Sequence, residues 1–197
     1  MAGKVQVDLG RYIDKQGTYG QNIADGCSIS NVLEGDHRLL VRSDADDQLL
    51  LTFAFTEKVK LTGLAVGAPA DATRPMAVKL FVNQPAIDFS DAESLIPAAE
   101  IKLSKDDVST PVVLPLKVVK FTGVDNVTLL VVGSEGGDIS AVHTVKFYGE
   151  AMQGYGRACS RLLHSHRQSQ RATTNPALAL ALALPRTRTN LKELKKC

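Results

Sequence analysis

Between Gln48 and Tyr148 apolar residues recur at every second position, and turn-forming residues interrupt them about every ten positions. This period is that of strands lying on a pleated sheet. In Gln48 to Phe55, Leu49, Leu51, Phe53 and Phe55 fall on one face while Leu50, Thr52 and Ala54 fall on the other, so this strand is predicted to be covered on both sides. Further strands are predicted at Val59–Val66, Met76–Val82, Ala99–Leu103, Val112–Leu116, Val118–Thr122, Val127–Val132 and Val142–Tyr148. Each carries β-branched or aromatic residues, which pack well on a half-buried pleated surface.

The connections hold Gly67-Ala-Pro69, Asn83-Gln-Pro85, Val124-Asp-Asn126 and the glycine-rich run Gly133 to Asp138. Short strands punctuated in this way predict an all-β chain, a β-sandwich or jelly roll. Helical signals are sparse. Ser90-Asp-Ala-Glu93 has the spacing of a capping box, with Ser90 as the cap and Glu93 reaching back, and Pro97 limits that helix to about one turn. Ser104-Lys-Asp-Asp107 has the same spacing and predicts a second short turn.

From Gly154 the composition loses β-branched residues and gains Arg, Ser, Gln, Leu and Ala. The expected organisation is a β domain over 1–153 and a low-complexity tail over 154–197. Charge divides at the same place: the tail holds nine basic residues and one acidic, leaving 14 basic and 20 acidic in the body, so a net +8 follows a net −6. The run Asn175-Pro to Pro185 could be a capped helix, but Ala and Leu alternate around its circumference and its length is marginal for an isolated helix. The tail is therefore expected to be poorly ordered or weakly helical. Its basic residues lack interleaved aromatics, which makes nucleic acid a weak partner at most.

No opening basic-then-apolar leader and no run of roughly 20 apolar residues is found, so a soluble intracellular protein is expected and no membrane partner. Cys27, Cys159 and Cys197 are far apart and form no C-x-x-C pair, which predicts free thiols.

Residue constellations for chemistry are thin. Gly133-Ser-Glu-Gly-Gly137 is not a nucleophile elbow, and neither a phosphate loop nor a zinc-peptidase helix motif occurs. His164 and His166 would need further metal ligands that their neighbourhood lacks, and His37 and His143 are predicted to be structural, His143 at a core edge or exposed. Asp44, Asp46 and Asp47 are the densest acidic cluster. Calcium is one reading of them, but they lack the glycine and distal Glu of an EF-hand loop, and a solvated start to the following strand is the expectation. Asp88, Asp91 and Glu93 resemble paired catalytic carboxylates by type, yet no partner groups are identifiable, so capping and solvation are expected. Asn126-Val-Thr128 matches a glycosylation sequon, expected to stay unmodified in an intracellular protein. No catalytic residue, metal or cofactor is predicted.

Taken in order, Ser43 to Phe55, Met76 to Glu93, Pro115 to Val132 and Val142 to Gly149 resemble the PITH domain, the module of proteasome-interacting, thioredoxin-like proteins. The resemblance covers roughly residues 10–153. Cys27 and Asp44-Ala-Asp-Asp47 stand where the family places a cysteine and an acid-rich phrase, and Lys79 to Pro85 followed by Asp88-Phe-Ser-Asp-Ala-Glu93 match another of its phrases. The resemblance implies a galactose-binding-like jelly-roll sandwich. No C-x-x-C redox domain precedes the module here, so disulfide reductase activity is not carried over, and the chain is similar to free-standing members.

For such members the resemblance implies a non-catalytic interaction module of the cytoplasm and nucleus. Its implied partner is the regulatory particle of the proteasome or a related assembly, with a regulatory role that includes transcription. Asp44, Asp46, Asp47, Asp88, Phe89, Asp91 and Glu93 are the candidate interaction surface. The alternative is a small-ligand or carbohydrate-binding jelly roll, for which Tyr12 or Tyr148 would supply a stacking face, since the chain has no Trp and four Tyr.

Overall fold

A computed structural model describes residues 7–84 and 86–156. Expectations for the tail, among them the helix over 175–185, the His164 and His166 pair, Cys159 and Cys197, fall outside the described residues. The strands are β1 Val7–Asp8, β2 Ile13–Gln21, β3 Val41–Arg42, β4 Leu49–Gly67, β5 Pro75–Val82, β6 Ala99–Lys102, β7 Leu114–Pro115, β8 Thr122–Ser134, β9 Ala141–Val142 and β10 Thr144–Gly156. Short helices α1 Asn31–Glu34, α2 Phe89–Ser94 and α3 Lys105–Ser109 and 3₁₀ turns at Gly10–Tyr12 and Val118–Lys120 join them.

β4 organises the sandwich. Its first half pairs with β2 on one side and β8 on the other, and β8 continues to β5 and β6. Its second half pairs with β10, which carries β1, and with β7. All these pairings are antiparallel, and a single strand of 19 residues thus belongs to both layers.

Leu49, Leu51, Phe53 and Phe55 point between the layers and meet Leu80, Leu129, Val131 and Phe147 in the core. Phe147 sets its ring edge-on to Phe53 at 5.1 Å and to Phe55 at 5.7 Å, joining β10 to the first half of β4. Each such pair contributes about 0.5–1.5 kcal/mol beyond the area it buries.

Halfway along β4 the inward parity changes from Val59 and Leu61 to Leu64 and Val66. The register explains this change: Leu61 faces Gly149 and Gly63 faces Tyr148, so Thr62 is an extra residue, a β-bulge. Its hydroxyl donates to the Tyr148 carbonyl at 3.2 Å, and its own carbonyl accepts the Leu116 N–H at 3.0 Å. On the other side of the sheet Leu50, Phe81 and Leu130 pack under Ile87 and Ala92 of the α2 segment, forming a second, smaller cluster. The strand is thus covered on both sides, as its two apolar faces predicted.

Several strand expectations are corrected. Gln48–Phe55 and Val59–Val66 are one strand, because Glu57 and Lys58 continue the extended backbone instead of turning it. Of Val112–Leu116 only Leu114–Pro115 pairs, since Pro115 has no N–H to extend a ladder. Val118–Lys120 is a 3₁₀ turn that leaves Val119 94% exposed, and strand pairing begins only at Thr122. β2 carries little apolar periodicity and two glycines, which hid it.

Candidate functional site

The acidic phrase before β4 is a wired loop. Asn22, at φ 59°, holds it by accepting the Ala45 N–H on Oδ1 at 3.0 Å and donating Nδ2 to Asp46 Oδ1 and the Gln48 carbonyl, each at 2.7 Å. Asp46 Oδ1 also accepts the Gln48 N–H at 3.0 Å. Asp47 Oδ2 accepts the Ser134 N–H at 3.0 Å, and the Asp47 carbonyl accepts the Ser140 hydroxyl at 2.6 Å. Asp46 and Asp47 thus stabilise backbone donors of their own fold, while Asp44 is exposed.

The second acidic phrase caps α2, with a shift from the expected pair. Asp88, not Ser90, is the N-cap: its Oδ1 accepts the Asp91 N–H at 2.8 Å, and the Asp91 carboxylate accepts the Asp88 N–H at 3.4 Å. The cap lies two residues before Ser90, so that Phe89 and Ala92 face the second apolar cluster. Glu93 and Ser90 are exposed, and Ser90 lends its carbonyl to the Ser94 hydroxyl at 3.1 Å. The box at Ser104 and Asp107 forms as expected, with the Asp107 N–H on Ser104 Oγ at 3.3 Å and the Ser104 hydroxyl on Asp107 at 2.6 Å. That hydroxyl holds the Asp107 carboxyl below its usual range.

The end of β2 ties the two acidic phrases together. Gln21 donates Nε2 to the Ile87 carbonyl at 3.0 Å, and the next residue, Asn22, binds Asp46. Two consecutive side chains thus reach both acidic phrases, Asn22 binding Asp46 directly and Gln21 binding the backbone just before Asp88.

The histidines differ. His37 is exposed, beside the turn in which Arg38 holds the Asp36 carboxyl down to about 2. His143 is buried: its N–H donates to the Gly67 carbonyl at 2.9 Å, and Nδ1 lies 2.8 Å from Thr144 Oγ1. Burial lowers its pKa. Among the described residues no group of three His, Cys, Asp or Glu side chains is placed to hold a metal ion. No described helix is long and apolar enough to cross a membrane. Asn126 and Thr128 of the sequon are buried within β8, out of reach of a glycan-transferring enzyme. Tyr12 gives one ring face to the Arg11 guanidinium, 4.7 Å from the centroid, and its hydroxyl accepts Arg11 Nη2 at 2.7 Å.

Two concave places stand out among the described residues. One, of about 280 Å³, lies over Ile13, Val145 and Phe147 and carries Asp8, Glu34, Lys15 and Lys146 on its rim. The other, of about 420 Å³, runs between the end of β5 and the Leu95-Ile96-Pro97 crossing, with Lys120 in its lining. The sequence held one signal for the second groove, two large apolar residues directly before a proline in a connection. By sequence alone Pro97 signals only the end of a helix.

The PITH domain family model matches residues 1–166. Over 148 residues the chain is 34% identical to a PITH domain-containing protein of Caenorhabditis elegans, a match covering 73% of this chain and 70% of that protein. It is 33% identical over 115 residues to one of Drosophila melanogaster, covering 58% and 54%, so it spans about half the length of that relative. With thioredoxin-like protein 1 of Schizosaccharomyces pombe it shares 28% identity over 136 residues, 66% of this chain and 46% of that protein.

Solved structures agree on the fold. A family 32 carbohydrate-binding module of Clostridium perfringens, in complex with galactose, matches with a TM-score of 0.57 at 6% identity, over 73% of this chain and 99% of that one. An F5/8 type C domain from Bacteroides fragilis matches with a TM-score of 0.52 at 8% identity, over 75% and 98%. The fold is thus a galactose-binding-like β-sandwich, a fold shared with binding modules. With its sandwich built on a shared β4 and its phrases matched along residues 1–166, this chain belongs to the PITH domain family.

Proposed function

We propose that the chain is a non-catalytic protein-interaction module that docks on the regulatory particle of the proteasome or a related large assembly, in the cytoplasm and nucleus, with a regulatory role that extends to transcription. The observation that carries this reading is the family membership, joined to a relative named thioredoxin-like in which the shared part is 46% of the protein. The geometry supports it: Asp88 and Asp91 are engaged as a helix cap and Asp46 and Asp47 as loop acceptors, which stiffens exposed loops for recognition.

Affinity purification with the full chain as bait, under gentle conditions with nucleotide present, tests this reading. Recovery of regulatory-particle subunits in proportion to bait is the expected result, and their absence would overturn it. The sugar-binding alternative has less behind it, because Tyr12 already gives a ring face to Arg11 and likeness at 6% identity speaks for fold alone. Saturable binding on a glycan array would reinstate it.

A further inference from the structure

We infer that the groove between the end of β5 and the Leu95-Ile96-Pro97 crossing is the docking site for an acidic partner segment carrying large apolar side chains, an inference that rests on the protein-docking reading above. Pro97 holds the backbone of Ile96 extended, and in this crossing Ile96 is 92% exposed with Leu95 at 41%. Lys120 lines the same groove, and Val119, next to it in sequence, is 94% exposed. Adjacent exposed apolar side chains around a concavity mark an interaction site better than scattered ones do.

The groove is also preformed. Asn83, at φ 57°, donates its N–H to the Asn126 carbonyl at 3.0 Å and its Nδ2 to the Gly123 carbonyl at 3.2 Å, while its Oδ1 accepts the Asp125 N–H at 2.8 Å. A wall pinned in this way has little ordering entropy left to lose on binding.

Charge selects the occupant. Among the described residues Lys120 is the one charged residue lining the groove, and that lining includes no carboxylate. Lys117, the extended residue directly before the 3₁₀ turn that ends in Lys120, adds a second positive charge in the same connection, and neither lysine is ion-paired among the described residues. The chain's own tail, at net +8, would bring like charge to this spot. A second copy docked groove to groove about a two-fold axis would set Lys120 against its own counterpart. An acidic segment with an apolar anchor satisfies both the lysines and the exposed side chains.

The test uses the full chain and a fluorescent peptide in which Asp and Glu alternate with Leu and Phe. Its controls are a peptide with the acids replaced by Lys and another with the apolar residues replaced by Ser. Saturable binding of the first peptide alone is expected, weakened at least about tenfold by Ile96→Asp and by Lys120→Glu. Both positions are exposed, so melting curves should show the variants folded. Preference for the basic peptide, or binding that neither variant weakens, would overturn the inference. So would a concentration-dependent dimer that Ile96→Asp disperses. Assembly capture by the same variants separates the two readings: retention by both variants sinks the groove alone. Failure of the unsubstituted chain to capture any assembly sinks the docking reading, while the peptide titration still decides the groove.

Discussion

Asp47 accepts the backbone N–H of Ser134 at 3.0 Å, a bond between residues 87 apart in sequence that fastens the loop before β4 to the end of β8. Gly133, at φ 71°, turns the chain just before Ser134, in the left-handed conformation that glycine adopts without a Cβ penalty. The bond holds the end of β8 where the glycine lets the strand bend.

Removing that acceptor leaves a backbone donor unsatisfied in a half-buried loop. Asp47→Ala is expected to cost about 1–3 kcal/mol in urea unfolding, while Asp44→Ala, which removes an exposed carboxylate, should stay within about 0.5 kcal/mol. Equal effects would show that the two acids are interchangeable surface.

The cap of α2 gives a second contrast. Asp88→Ala should destabilise by about 1 kcal/mol, because it strips the acceptor of the Asp91 N–H, and Ser90→Ala should be close to neutral. Thermal or chemical melts of the two variants decide between Asp88 and the Ser90 cap that sequence spacing favours.

Gly149 faces the bulge at Thr62, where a Cβ would stand 2.0 Å from the Lys60 carbonyl oxygen. Gly149→Ala must therefore push β10 from β4 along the seam that joins the two layers. Its expected cost is at least about 3 kcal/mol, seen as a lowered urea midpoint or loss of soluble protein.

His143 makes stability depend on pH. Burial disfavours its charged form, and the positive field of nearby His37 adds to this, so its pKa in the folded chain lies below the ordinary 6.5. Between those two values the unfolded chain binds more protons. Stability contributed by the neutral ring is therefore complete above about 6.5 and falls as the pH drops through the window, levelling off below the folded value. Melting temperatures between pH 8 and 5 should show this slope, and His143→Asn should flatten it. An unchanged slope in the variant would refute the assignment.

Much of the first layer was legible in residue order. The two apolar faces of Leu49 to Phe55 announced a strand covered on both sides, and Met76 to Val82 and Ala99 to Leu103 lie close to β5 and β6, because period-two alternation survives wherever one face is buried. The Ser104 box was readable because cap and acceptor are three residues apart and need nothing else. β2 was not, since its polar, glycine-containing sequence is held extended by pairing with β4 and lacks a periodic face of its own.

The candidate surface divides in the same way. Capping at Asp88 to Glu93 was a local inference that Asp88 and Asp91 bear out, whereas Asp46 and Asp47, expected to be solvated, accept bonds from distant residues, and the identity of the α2 cap depended on where Phe89 and Ala92 could reach an apolar cluster. The groove at Ile96 and Lys120 joins residues from separate connections, so no window of sequence contains it. Local spacing and hydrophobic period determined most of the longer strands and the family phrases, because those act over a few residues, while the turn expected at Val124-Asp-Asn126 was overridden, these residues lying inside β8. The merging of two predicted strands into β4, the bulge that reverses its parity and the surface that gathers Ile96 beside Lys120 were decided by tertiary structure. Those features arise only when distant strands compete for the same hydrogen bonds and the same buried space.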